Sequence, residues 1–244
     1  MATNPMQQFE IYRIGPEIKL GTLNLSFTNA SLFMAISSMT ILLLLFFGTK
    51  KKSLVPSKIQ FVTEMSYTFI AKMISDTAGS NAKPFFPFIF TLFMFVLSCN
   101  MVGMLPYSFT VTSHIIVTFM FAILVFIGVT IIGFIRHGIK YLELFVPKGV
   151  PLVLLPLIVI IEIISYLSRP VSLSVRLFAN MMAGHTMLKV FGGFVISLGL
   201  LGGWLPLSFS VALTGLEVLV AFLQAYVFAI LTCIYLNDAL NLHH

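Results

Sequence analysis

Hydrophobic positions along this 244-residue chain fall into long uninterrupted runs, not short periodic patches. Residues 1–30 are mixed. Glu10, Arg13, Glu17 and Lys19 are spread through them, and they lack the apolar core of a signal peptide. Residues 31–48 form an uncharged apolar run, long enough to predict a membrane-spanning helix, which stops at Lys50, Lys51 and Lys52. Residues 57–78 read differently. Ile59, Phe61, Val62, Met65, Phe69, Ile70 and Met73 recur at helical spacing, while Lys58, Glu64, Lys72 and Asp76 avoid one face. That pattern predicts an amphipathic helix lying in the membrane interface. Residues 84–106 and 114–135 predict two more spans, joined by a short link into a hairpin over 84–135. The stretch 151–191 is nearly continuously apolar. As one helix it would be about 60 Å long at ~1.5 Å per residue, against a bilayer core of about 30 Å. It either breaks near Arg169-Pro170 into two spans or is one strongly tilted helix. A glycine-rich turn with Gly192, Gly193, Gly199, Gly202 and Gly203 separates it from a last apolar stretch over 205–240. The runs together predict an all-α integral membrane protein, a single membrane domain over 1–244.

Composition narrows the function classes. The chain is 59% hydrophobic and 9% charged, with mean hydropathy +1.04, whereas an ordinary soluble domain is about 25% charged. A soluble globular domain, a disordered chain and a nucleic-acid binder are excluded, because that much apolar surface has no place to hide in water. The net charge of +6 therefore reports topology and not a phosphate-binding patch. Lys50, Lys51, Lys52, Lys58, Lys72 and Lys83 lie between the first span and the hairpin, and Arg136, Lys140 and Lys148 follow it. The link from Met104 to Ser113 carries no charge. The positive-inside rule puts the two basic segments inside, and the link and the N-terminus outside. Cys99 and Cys233 sit inside apolar runs and read as small core residues.

Glu162, Arg169, Arg176, His185, Lys189 and Glu217 fall well inside the two long C-terminal stretches. A charge near a helix centre costs roughly 2.5–3.5 kcal/mol on insertion scales, so such residues face a bundle interior, a partner or water. Arg169 and Arg176 are seven apart and share a helix face with Ser172 and Asn180. His185 lies nine past Arg176 and points to the opposite side. Glu217 and Gln224 share a face of the next helix, which brings a carboxylate to meet that histidine. Glu162 is roughly aligned with Arg176 but about 21 Å away along the axis; a plain ion pair with Arg169 is the alternative. Lys189, near a helix end, is expected to snorkel to the interface. For Ser172 and Asn180 the alternative is a bond to backbone carbonyls only. Arg176 has no acidic residue within four positions and always keeps its charge, so its partner comes from elsewhere. The histidines do not form the facing pairs of a bis-histidine haem, and there is no P-loop or HExxH.

The run SRPVSLSVRLFANMMAGH from Ser168 to His185 resembles the family of subunit a of the F-type ATP synthase membrane sector, over essentially the whole chain. NMVGMLPY from Asn100, FVPKGVP from Phe145, and Glu217 with Gln224 support the likeness. The resemblance implies two long tilted helices curving against a rotating ring of c subunits, which favours tilt over a break. It implies that Arg176 is the essential arginine facing the ring carboxylate. It also places Asn180, His185, Glu217 and Gln224 on the half-channel open to the outer side, and Glu162 on the inner one. Many bacterial members carry Glu where this chain has His185, and His where it has Glu217; the order here resembles mitochondrial and α-proteobacterial members. The implied partners are the c-ring, b-type peripheral-stalk subunits, membrane lipid and protons, with no nucleic acid, no cofactor and no metal. The implied location is a bacterial plasma membrane or the mitochondrial inner membrane, and the enzymatic activity belongs to the complex, since this chain has no nucleotide chemistry. A proton-coupled secondary transporter would also hold buried charges on interrupted helices, but no inverted repeat is visible. A structural anchor leaves the buried Arg176 and Glu217 without a reason.

Overall fold

The computed structural model describes residues 8–15, 19–20, 23–24, 26–50, 53, 55–105, 108–146 and 154–241. Lys51, Lys52 and Lys148, the 106–107 end of the first hairpin span, and residues 151–153 of the long stretch lie outside the described residues. The described chain is nearly all helical: α1 (Asn29–Lys50), α2 (Lys58–Ala78), α3 (Phe86–Gly103), α4 (Ile115–His137), α5 (Leu155–Gly202) and α6 (Trp204–Leu240). All but α2 belong to stretches long and apolar enough to cross a membrane, which makes this a multi-pass membrane protein. A two-residue antiparallel pair, β1 (Lys19–Leu20) and β2 (Leu23–Asn24), precedes α1.

Local chemistry explains the ends of the first two helices. Thr28 and Ser31 exchange bonds at the start of α1. The Thr28 amide donates to Ser31 Oγ at 2.9 Å, and the Ser31 amide donates to Thr28 Oγ1 at 3.4 Å. This reciprocal arrangement satisfies amide groups that a helix start leaves free. The Gln60 amide donates to the Ser57 hydroxyl, which caps α2. Helix α2 is amphipathic as expected, with Lys58, Glu64, Lys72 and Asp76 exposed. Its buried face is Gln60, Thr63, Ile70, Met73, Ile74 and Ala78, so Ile59, Phe61, Val62 and Met65 are left exposed.

Helix α6 is the central strut and packs against α2, α3, α4 and α5. Ala221, Ala225, Ala229 and Cys233 recur every fourth position and are fully buried. Small residues at that spacing let backbones approach closely where lipid supplies no hydrophobic drive between helices. Buried polar groups pin the contacts. Asn100 Nδ2 donates to the Ala221 carbonyl at 3.1 Å, Ser98 Oγ to the Ser37 carbonyl at 3.0 Å, and Thr118 and Ser174 hydroxyls meet at 3.1 Å.

Helix α5 runs through Pro170 without a break, so the long stretch is one helix and not two spans. It also continues past residue 191. Gly192 and Gly193 remain helical, and the only non-helical backbone within α5 is at Gly199, with φ 62° and ψ −160°. The glycine-rich turn expected over 192–203 therefore shrinks to one bend. In an apolar setting each backbone polar group needs an internal partner, which keeps glycines helical that would fray in water. The positive φ at Gly199 is what requires a glycine there. The Gly203 amide then donates to the Gly199 carbonyl at 2.9 Å as α6 begins.

Gly133 on α4 lies under the ring of Tyr141, and a Cβ there would overlap ring atoms Cε2 and Cζ. Tyr141 is 1% exposed and cannot retreat. Gly133→Ala should therefore destabilise the bundle by about 1–3 kcal/mol through overpacking. Thiol reactivity during heating reads this directly, because Cys99 and Cys233 are free and buried. A lower melting midpoint is expected; an unchanged one would show that Tyr141 yields.

Candidate functional site

Helix α5 carries three polar stations, spaced along one rod. Arg169 is nearest its start, Arg176 follows about 10 Å on, and His185 about 14 Å further, at ~1.5 Å per residue.

At the first station Arg169 Nη1 donates to Asp238 Oδ2 of α6 at 3.1 Å. Its guanidinium lies 5.3 Å from the Tyr166 ring centre and 5.1 Å from that of Tyr235, so it is held by charge and by two aromatic faces. The Tyr166 hydroxyl meets Tyr141 at 3.1 Å and Thr130 at 2.7 Å. The alternative of a Glu162–Arg169 pair is thus not realised. Glu162 is half-buried and makes no hydrogen bond or ion pair with a described residue. Sequence reasoning missed Asp238 because it sits sixty-nine positions away, at the polar end of the chain.

Arg176 occupies the outer face of α5. It is exposed, as are Ser172 and Asn180 on the same face, and Val171, Val175 and Ala179 beside it are exposed too. Arg176 has no hydrogen bond or ion pair with any described residue. Asn180 and Ser172 bond no backbone carbonyl among the described residues, so that alternative also lapses. Lys189 is exposed, but α5 continues to Gly202, so it does not sit near a helix end as expected.

At the third station the histidine and carboxylate meet. His185 Nδ1 is 3.4 Å from Glu217 Oε1, and the side chains are 12% and 5% exposed. Neither Glu217 oxygen has a hydrogen-bond partner. Gly184 makes this approach possible, since a Cβ there would stand 2.7 Å from Glu217 Oε1. His185 Nε2 lies 2.9 Å from Thr110 Oγ1, in the link between α3 and α4. Thr110 Oγ1 in turn donates to the Gly103 carbonyl at 3.1 Å. Other buried polar atoms of this end lack partners: Asn100 Oδ1, Thr112 Oγ1 and His114 Nε2. The His114 ring stacks on Phe109 at 5.0 Å. Gln224 is half-buried on the Glu217 side of α6. No cluster of three or more metal-ligating side chains occurs among the described residues.

Comparison with known proteins gives the family of the chain. The family model described as ATP synthase A chain matches residues 31–237. The "ATP synthase subunit a" of Pelagibacter ubique is 80% identical over 244 residues, covering 100% of both chains. That of Chelativorans sp. is 60% identical over 250 residues, again 100% of both, and that of Rhizobium rhizogenes 59% over 247, covering 99% of this chain and 98% of its own. With the family model spanning most of the sequence and full-length relatives this similar, the chain belongs to the ATP synthase A chain family.

Proposed function

We propose that this chain is the proton-conducting stator subunit of an ATP synthase, a part of the enzyme complex that couples proton flow to rotation of a c-ring. The observation that carries the reading is Arg176: a permanent cation, exposed on an apolar helix face, with no counter-charge among the described residues. In a membrane such a group needs a partner anion, and a carboxylate on a neighbouring ring supplies one.

The chemistry follows from charge in lipid. A ring carboxylate crosses the lipid-facing arc neutral, because its anion is costly there. Beside Arg176 it ionises, since the fixed cation stabilises the anion. His185 and Glu217 feed protons to it from one side, with Asn180 and Gln224 along the way. The unpartnered polar atoms of Asn100, Thr112, His114 and Glu217 favour a wet path there, because buried polar groups without protein partners take water. Glu162 serves the opposite side. Arg176 lies between the two polar stations and its charge blocks direct passage. Each proton crossing ~100 mV supplies roughly 2.3 kcal/mol to drive rotation. The basic segments containing Lys50 and Arg136 mark the inner side, and the N-terminus is then outside. The b-type peripheral-stalk subunits hold the chain against the torque.

Cysteine cross-linking tests the ring-facing surface. Ser172→Cys and Asn180→Cys, each paired with a cysteine on the carboxylate-bearing ring helix, should form disulfides in membranes. Ser174→Cys, on the buried side, should not. Equal cross-linking from all three positions, or from none, would remove the proposed face.

A further inference from the structure

We propose that Thr110 is a positioning residue that fixes the proton on His185 Nε2 and leaves Nδ1 to exchange a single proton with Glu217; this rests on the half-channel reading above. The argument starts from one hydroxyl hydrogen. Thr110 Oγ1 is within bonding distance of two atoms, the Gly103 carbonyl at 3.1 Å and His185 Nε2 at 2.9 Å. A carbonyl only accepts, so both contacts are hydrogen bonds at once only when the hydroxyl hydrogen goes to Gly103, whose carbonyl takes it beside the Ser108 hydroxyl at 2.8 Å. The Thr110 oxygen is then the acceptor, and Nε2 must donate. A neutral imidazole carries one N–H, so Nδ1 presents its lone pair toward Glu217.

The site is built to hold this arrangement. Thr110 is 5% exposed, and its own carbonyl accepts from the Ser113 hydroxyl at 2.6 Å. A Cβ at Gly103 would stand 2.8 Å from Thr110 Cγ2, so glycine is needed for the approach. Glycines thus flank both ends of the relay, Gly103 behind Thr110 and Gly184 against Glu217. The groups around His185 are Glu217 from α6, Thr110 from the α3–α4 link, and Lys189 on its own helix, which acts on it electrostatically.

The proton step balances within the pair. The O–H bond of protonated Glu217 breaks and an N–H bond forms at Nδ1, giving carboxylate and imidazolium. The imidazolium donates to Thr110 through Nε2 and to Glu217 through Nδ1, so no ring flip is needed. The pair is neutral overall before and after, so the step places no net charge among the apolar helices. Because Thr110 accepts from Nε2, protons exchange at the Glu217 end and do not pass through Thr110.

The test uses the intact complex in inverted vesicles, with ATP-driven pumping measured across a pH series. Thr110→Val keeps the shape and removes the acceptor. It should lower pumping about five- to tenfold. The half-maximum on the alkaline side should move down by roughly half a unit or more, because the imidazolium loses its charge-assisted bond. Thr110→Ser should restore rate and profile. A parental rate and profile in the valine variant, or a serine variant as impaired as valine, overturns the proposal. Nitrogen-15 NMR of histidine-labelled complex reads the tautomer without any variant at Thr110, with His185→Gln for assignment. Neutral His185 protonated at Nε2 is expected, and protonation at Nδ1 overturns the inference. Glu217→Gln separates the two levels. If it pumps normally, the half-channel reading itself falls; if it is dead while Thr110→Val is parental, only the role of Thr110 falls.

Discussion

Arg176→Ala should abolish ATP-driven proton pumping and ATP synthesis, a loss of at least about a hundredfold. Arg169 on the same helix is engaged by Asp238, and no other cation among the described residues lies within four positions of Arg176 on α5, so none replaces it. Without it the ring carboxylate has no counter-charge at the one place where it must ionise, at a cost of several kcal/mol, and ~1.4 kcal/mol corresponds to a factor of ten. The barrier between the two polar stations is lost at the same time, so passive proton leak should rise or rotation should stall. Hydrolysis by the detached soluble head should be unaffected. Arg176→Lys keeps a positive charge yet should also fail, because a lysine deprotonates readily on burial and lacks the planar delocalised cation. Pumping and synthesis in inverted vesicles decide the matter. Normal values in the alanine variant would sink the role of Arg176 and the mechanism with it.

Glu217→Gln should lower pumping by about 10²-fold, the usual scale for removing a group that carries a proton. Glutamine fills the same space beside Gly184 and leaves His185 without a proton partner. Exchanging the two residues, His185→Glu with Glu217→His, should recover more activity than either single change. A histidine and a carboxylate still face each other, and the resemblance to many bacterial members points to that order as workable. A double variant no better than the singles would mean that the order matters, through Thr110 or Gly184. Assembly is checked by recovery of the ring with the purified complex.

The sequence made the helices legible wherever apolar runs had no rival reading. An uncharged run such as residues 31–48 permits little but a helix in lipid, because the backbone must bond internally. The meeting of His185 with Glu217 was also legible, since helical phase put His185 opposite Arg176 and Glu217 lies well inside the apolar part of the next stretch with no local partner. Three features were not. Thr110 looked like any residue of an uncharged link, whose missing charge spoke only to topology; its role depends on the α3–α4 link packing against α5. Asp238 gave no sign of pairing with Arg169, because a contact across sixty-nine residues has no local spacing. The bend at Gly199 was hidden among five glycines that look alike in one dimension and differ only in whether packing asks for a positive φ. What the sequence alone says about Arg176, that its partner lies elsewhere, is all that one chain can say of a group that faces outward.

The unbroken part of α5 has a mechanical meaning. Its 45 residues make a rod of about 67 Å. Held between membrane faces about 30–45 Å apart, a straight rod of that length leans roughly 50–60° from the normal, against an ordinary range of 0–40°. Its two ends are then displaced sideways by about 50–60 Å, so a turning neighbour would push across the rod and not along it. A beam loaded that way resists through bending stiffness and is weakest where its internal bonding is incomplete. In α5 that place is Pro170, which offers no amide to the carbonyl of Tyr166. The aromatic and charged contacts of Arg169 with Tyr166, Tyr235 and Asp238 sit beside that weak point and act as a brace on it.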